Sequence, residues 1–193
     1  MDKLQTCAEA FERLLKIQYR IIFGRKGKTT ELILGFSRLD FHHLMGLGKL
    51  KDLRIAKQNR REVFDQILSG KINYETLTGS RYLFQIENRF NPLASIEQLL
   101  DDNRLIFRYN KTLNRFSFIE ADYLLSAFHE DRDIYIFVAL NKETGHYFCR
   151  SFFPKEKTDY TKNQPCCTML YKEKKNLITG KSVVQYDRFH LRS

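Results

Sequence analysis

Tryptophan is absent from this 193-residue chain, proline occurs only three times, and its four cysteines have no paired spacing. Few prolines and unmatched cysteines exclude a loop-rich scaffold stapled by disulfides. Cys7, Cys149, Cys166 and Cys167 form no C-x-x-C with a second pair and no downstream histidine repeat. They read as reduced core thiols, and no metal or other cofactor is expected. Adjacent residues such as Cys166 and Cys167 would face opposite sides of a strand, which makes joint ligation of one ion awkward. Long apolar runs are missing too. Stretches such as Ile21-Ile22-Phe23 fall far short of the roughly 20 residues a membrane span needs, so no membrane partner is expected. The N-terminus lacks the cationic-then-apolar order of an export signal, which predicts a cytoplasmic protein.

What the chain does hold is aromatic and basic. Hydrophobic residues make up 42%, with 16 Phe and 10 Tyr, enough for one core built from aromatic slabs in a single domain over 1–193. The net charge of +10 is uneven. Between Arg20 and Arg61 lie eleven basic residues against Glu31, Asp40 and Asp52, an excess of eight positive charges. Such a block attracts phosphate and repels cationic partners. A solvated surface that only keeps the protein soluble is the plainer explanation, but the charge is concentrated and flanks a histidine pair.

Periodicity divides the chain in two. Leu4, Cys7, Ala8, Phe11, Leu14 and Leu15 recur on one face of a helix. Tyr19 to Phe23 and Glu31 to Phe36 read as strands of a hairpin whose tip carries Arg25, Lys26 and Lys28. That tip lacks G-x-x-x-x-G-K-[ST] and does not open a helix, which excludes a nucleoside triphosphate site of that kind. Ser37 can cap a short helical turn through Phe41-His42-His43-Leu44-Met45, stopped by Gly46 and Gly48. Further helices are expected around Val63 to Leu68, from Ser80 to Phe90, and after Pro92. Beyond Asp101-Asp102-Asn103 the period becomes 2, with strands at 104–109, 121–128, 133–140, 146–153 and 167–172. Asn141 to Gly145 is a hairpin connection. The expected fold is α+β, with N-terminal helices and a basic hairpin (1–103) packed on a C-terminal antiparallel sheet of four to five strands (104–193).

RNA can be cut without a metal when a base takes the 2′-hydroxyl proton, an acid protonates the leaving oxygen, and cations hold the phosphate. Histidine suits proton transfer near neutral pH, which singles out His42 and His43. Adjacent side chains on a helical turn diverge by about 100°, so the two are not expected to enter one site together. Lys49 and Lys51 follow across a glycine corner. In the sheet, Arg150 alternates onto a face with Phe148 and Phe152, beside Ser151, and Tyr171 and Lys172 end a later apolar run. The expected catalytic set is therefore His43, His42, Arg150, Ser151 and Tyr171. The expected nucleic-acid contacts are Arg25, Lys26, Lys28, Lys49, Lys51 and Lys172. The acidic pairs Asp101-Asp102 and Glu130-Asp131 read as turn residues, and no G-x-S-x-G marks a serine hydrolase.

The segment Phe41-His42-His43-Leu44-Met45-Gly46-Leu47 with Lys49-Leu50, the strand Tyr147 to Pro154, and Thr168-Met169-Leu170-Tyr171 resemble the phage-type branch of the barnase, EndoU, colicin and RelE-like nuclease superfamily, a branch attached to phage and mobile-element polyproteins. The resemblance implies N-terminal helices on an antiparallel sheet and metal-independent, toxin-like endoribonuclease activity. It carries over His43, His42, Arg150 and Ser151 as positions within matching motifs. RNA is the implied partner, with an acidic antitoxin or immunity protein as a second. The alternative is a non-catalytic accessory protein of a mobile element that binds nucleic acid or inhibits another protein.

Overall fold

A computed structural model describes residues 2–114 and 117–190. Helix α1 (Lys3–Leu14) begins where the Asp2 side chain accepts from the Gln5 amide, and it buries Leu4, Cys7, Ala8, Phe11 and Leu14 on the face read from the sequence. Strands β1 (Ile17–Arg25) and β2 (Lys28–Leu34) form the expected hairpin. Its turn residues Lys26 and Gly27 have φ of 49° and 75°, the left-handed pair that a two-residue hairpin demands. Helix α2 (Arg38–Met45) opens with a capping box, Ser37 with Asp40, and stops at Gly46.

Helices α3 (Arg60–Leu68) and α4 (Tyr74–Thr78) follow. The helix expected from Ser80 to Phe90 is instead two 3-10 turns, Leu83–Gln85 and Glu87–Arg89. Pro92 explains this, because in one continuous helix its ring would collide with the carbonyl of Asn88. Helices α5 (Phe90–Ala94) and α6 (Ile96–Asp102) complete the helical part. Strands β3 (Leu105–Arg108), β4 (Tyr123–His129), β5 (Arg132–Leu140), β6 (Tyr147–Pro154), β7 (Cys166–Asn176) and β8 (Ser182–Asp187) come next.

The sheet corrects the sequence reading. It has eight strands rather than four to five, and it is neither confined to 104–193 nor wholly antiparallel. Strand β1 pairs antiparallel with β7 from Ile17–Asn176 to Gly24–Thr168, and β2 joins β6 in parallel through Leu34–Tyr147. The order β1-β2-β6-β5-β4-β3-β7 therefore returns to β1 and closes a seven-strand mixed barrel, with β8 added on β7. The basic hairpin is barrel wall, not an appendage. Period-2 patterning marks a strand but is silent about its neighbours, and β1 finds its second neighbour some 150 positions away in sequence. Strand β8 went unseen because Val183 and Val184 are both exposed, which removes the alternation. One apolar cluster joins Phe11, Ile21 and Phe64 of the first half to Ile136 and Phe152 of the second.

The barrel has a weak seam. Among the described residues β2 and β6 share one registered pair, Leu34–Tyr147, after which no strand covers that edge of β6. Helix α2 and the turn at Glu87–Arg89 pack against β6 instead. No helix among the described residues is long and apolar enough to cross a membrane.

Candidate active site

The seam holds the histidine pair. Strand β6 carries a bulge: Phe137 registers with Ser151 and Val138 with Cys149, so Arg150 lies between them without a partner in β5. The bulge also breaks the alternation expected to set Arg150 beside Phe148 and Phe152, since Cys149 and Phe152 are both buried while Arg150 is exposed. The Arg150 carbonyl lies 2.6 Å from Nε2 of His43. A carbonyl only accepts, so Nε2 carries the proton and the lone pair of the neutral ring sits on Nδ1.

His42 makes the same kind of bond elsewhere. Its Nε2 lies 2.9 Å from the Ile55 carbonyl, in a buried setting. The two rings diverge to different partners as helical geometry requires, yet both line one cleft of about 260 Å³ with Gly46, Gly48, Lys49, Arg60, Arg89 and Ser151. Burial of its ring holds His43 below the usual histidine pKa, and the charges of Arg150, Arg60 and Arg89 add to that, against the Arg150 carbonyl bond. His42 is lowered as well, chiefly by burial. Both are neutral near pH 7, as a proton acceptor must be.

Arg89 is the cation that the sequence reading missed. It is 6% exposed, and one guanidinium nitrogen donates to the Leu44 carbonyl at 2.8 Å, near the end of α2. Its Nε meets no acceptor among the described residues, and Arg89 forms no salt bridge there. Burial lowers its pKa to about 10. Gly46 makes this placement possible: with φ of 81°, a Cβ there would stand 2.9 Å from Ile86 Cγ2 and 3.4 Å from the Arg89 guanidinium. The signal was an arginine at helical spacing among Ile86, Phe90 and Leu93, on an otherwise apolar face. Lys49 sits in the same cleft, where burial first and Arg89 second lower its pKa.

Of the sequence-derived site residues, the seam gathers His42, His43, Lys49 and Ser151. Arg150 contributes its backbone carbonyl and the field of its exposed side chain. Tyr171 lies away from them on β7, donating to Glu173 at 2.6 Å with Arg20 over its ring. Lys172 is fully buried, and its ammonium donates to the carbonyls of Leu100, Asp101 and Asn103 at the end of α6. Its expected part as a surface contact to nucleic acid is corrected on that ground, because a residue with no exposed surface cannot meet a phosphate. Lys26 and Lys28 stand exposed at the hairpin tip, Lys51 is exposed beyond the cleft, and Arg25 lines a separate groove. Among the described residues no group of three or more His, Cys, Asp or Glu could hold a metal ion.

A barrel whose open seam sets two neutral imidazoles among three cations has the equipment of a phosphodiester-handling protein. A family model, phage-Barnase-EndoU-ColicinE5/D-RelE like nuclease4, matches residues 3–188, and the chain belongs to that nuclease family. No curated protein and no solved structure matches it.

Proposed function

We propose that the protein is a metal-independent endoribonuclease, toxin-like and of phage or mobile-element origin, acting in the cytoplasm on RNA. The observation that carries this reading is His43. Its proton is fixed on Nε2 by a strand carbonyl, its Nδ1 is left basic, and a buried arginine that forms no salt bridge among the described residues stands in the same cleft.

In this reading His43 Nδ1 accepts the proton of a 2′-hydroxyl as that oxygen attacks the adjacent phosphorus. The bond from phosphorus to O2′ forms and the bond to O5′ breaks. Arg89 and Arg60 hold the equatorial oxygens as their charge grows. Lys49, whose ammonium is made more acidic by burial and by Arg89, gives its proton to the departing O5′. The products are a 2′,3′-cyclic phosphate and a 5′-hydroxyl end. Ser151 can donate a further hydrogen bond to the phosphate, and His42, bonded to Ile55, fixes the shape of the opposite wall.

The test is cleavage of total RNA by purified protein in excess chelator, with the new ends identified. Cleavage is expected to persist in chelator, and His43→Ala should lose roughly 10²- to 10⁴-fold in rate while its circular dichroism is unchanged. Equal rates for the two proteins would remove His43 from the chemistry. RNA binding without cleavage would favour the accessory-protein reading.

A further inference from the structure

A second groove lies outside the chemistry described above. It is about 850 Å³ in volume and sits at one end of the barrel, where β1 and β3 end and β4 begins. Arg25, Arg108, Lys111 and Lys142 line it, together with Glu120 and Asp122. The acidic residues offset this charge only in part, leaving four cations against two carboxylates. Glu120 is taken up by Lys111 at 3.0 Å, and Asp122 accepts from the Leu140 amide at 2.7 Å. Arg25, Arg108 and Lys142 then remain, and among the described residues none of them forms a salt bridge. Arg108 and Lys142 are exposed and Arg25 is half-buried, so their charge faces solvent.

The groove and the seam lie on paired strands, β5 and β6. Leu140, on the groove wall, registers with Tyr147, the first residue of β6. Arg150, whose carbonyl holds His43, is three residues further along. At a rise of about 3.3 Å per residue, roughly 10 Å of strand separates them. The Arg150 side chain links the two places electrostatically, since its charge acts on His43 at the seam and on Glu120 at the groove. Arg150 is thus the cation whose charge reaches both places.

We propose that this groove binds the single-stranded RNA flanking the cut, with successive phosphates on Arg150, Arg108, Arg25 and Lys142. The choice of RNA as occupant rests on the ribonuclease reading. The layout argues for an extended polyanion and against a compact anion, because three cations without a salt bridge among the described residues are spread over an open groove whose Leu140 wall pairs with β6.

Binding is measured without cleavage, by fluorescence anisotropy of labelled 2′-O-methyl oligoribonucleotides, in which the attacking hydroxyl is blocked. A dodecamer and a dinucleotide are compared on wild type and on an Arg25→Gln, Arg108→Gln, Lys142→Gln triple variant. The dodecamer should bind wild type more tightly than the dinucleotide, and the triple variant should lose on the order of tenfold or more for the dodecamer alone. The slope of log affinity against log salt should fall by about 2, since each phosphate contact on a single strand contributes about 0.7. A second variant with Glu at the three positions should weaken binding further. Equal dodecamer affinity for wild type and triple variant overturns the proposal, as does tighter binding of polyglutamate than of the dodecamer. No hydrolysis is involved, so the groove can fail while His43-dependent cleavage of a dinucleotide stands, and cleavage can fail while the groove binds.

Discussion

Two buried cations show how differently one barrel can use positive charge. Lys172, inside the wall formed by β7, gives its ammonium to three carbonyls at the end of α6, with Lys174 and Asp101 paired close by. Those carbonyls are the ones a helix leaves unpaired at its C-terminus, so the lysine acts as a cap and its donors are consumed. Arg89, under the seam, has one carbonyl partner and an Nε without an acceptor among the described residues. Burying a cation that is not fully paired costs several kcal/mol. The difference teaches that burial alone does not mark a site; a buried cation that is incompletely paired and also lines a cleft does.

The comparison breaks most readily through activity. Arg89→Met should lower ribonuclease rate by roughly 10²- to 10³-fold, the usual loss on removing one preorganised donor to a developing anion. Its unfolding midpoint in urea should be unchanged or higher, because an apolar side chain of similar volume avoids the cost of burying the charge. A stability loss with full activity would make Arg89 structural. Lys172→Met should behave in the opposite way, losing about 2 kcal/mol of stability as the helix-end carbonyls lose their donor, while the folded protein cleaves at the wild-type rate.

Titration sharpens the contrast on a smaller scale. Burial, with the charge of Arg104, lowers the Lys172 pKa to about 7 in the fold, against 10.5 for a free lysine. Between those values the unfolded chain binds more protons, so this group makes stability rise with pH. Urea midpoints of wild type and Lys172→Met should therefore draw apart from about pH 7 to about pH 9; a constant gap would mean that the lysine stays charged in the fold. The smallest effect concerns His43. Activity needs its neutral form, so the acid limb of kcat/KM against pH should fall below the ordinary histidine value of 6.5. Arg89 is one of the charges that hold it down, so Arg89→Met should move this limb upward.

Much of the local structure is legible in the sequence. The α1 stripe, the Ser37 cap, the Gly46 stop and the hairpin between β5 and β6 all rest on contacts within a few residues, which spacing records. Barrel closure was not legible, because β1 meets β7 across most of the chain and the single β2–β6 pair leaves no pattern in either strand. At the site, His42 and His43 stood out by residue type and by the helix that carries them. Arg89 was concealed by its apolar neighbours, and Lys172 misled for the complementary reason: alternation places a lysine on a face, but only the packing of α6 shows that this face is closed. The Arg150 guanidinium stood out as a phosphate contact, while the part its carbonyl plays in holding His43 leaves no mark in the sequence.

The bulge in β6 is one added residue, and that residue settles a question of proton bookkeeping at the next element. By presenting a lone acceptor to α2, it decides which nitrogen of His43 is a donor and which is a base. Without that residue Cys149 and Ser151 would be consecutive, β6 would alternate unbroken against β5, and the ring would lose the acceptor that fixes its tautomer. The length of a strand, rather than a second acidic side chain, thus performs the orienting task that a carboxylate serves in other imidazole-based sites.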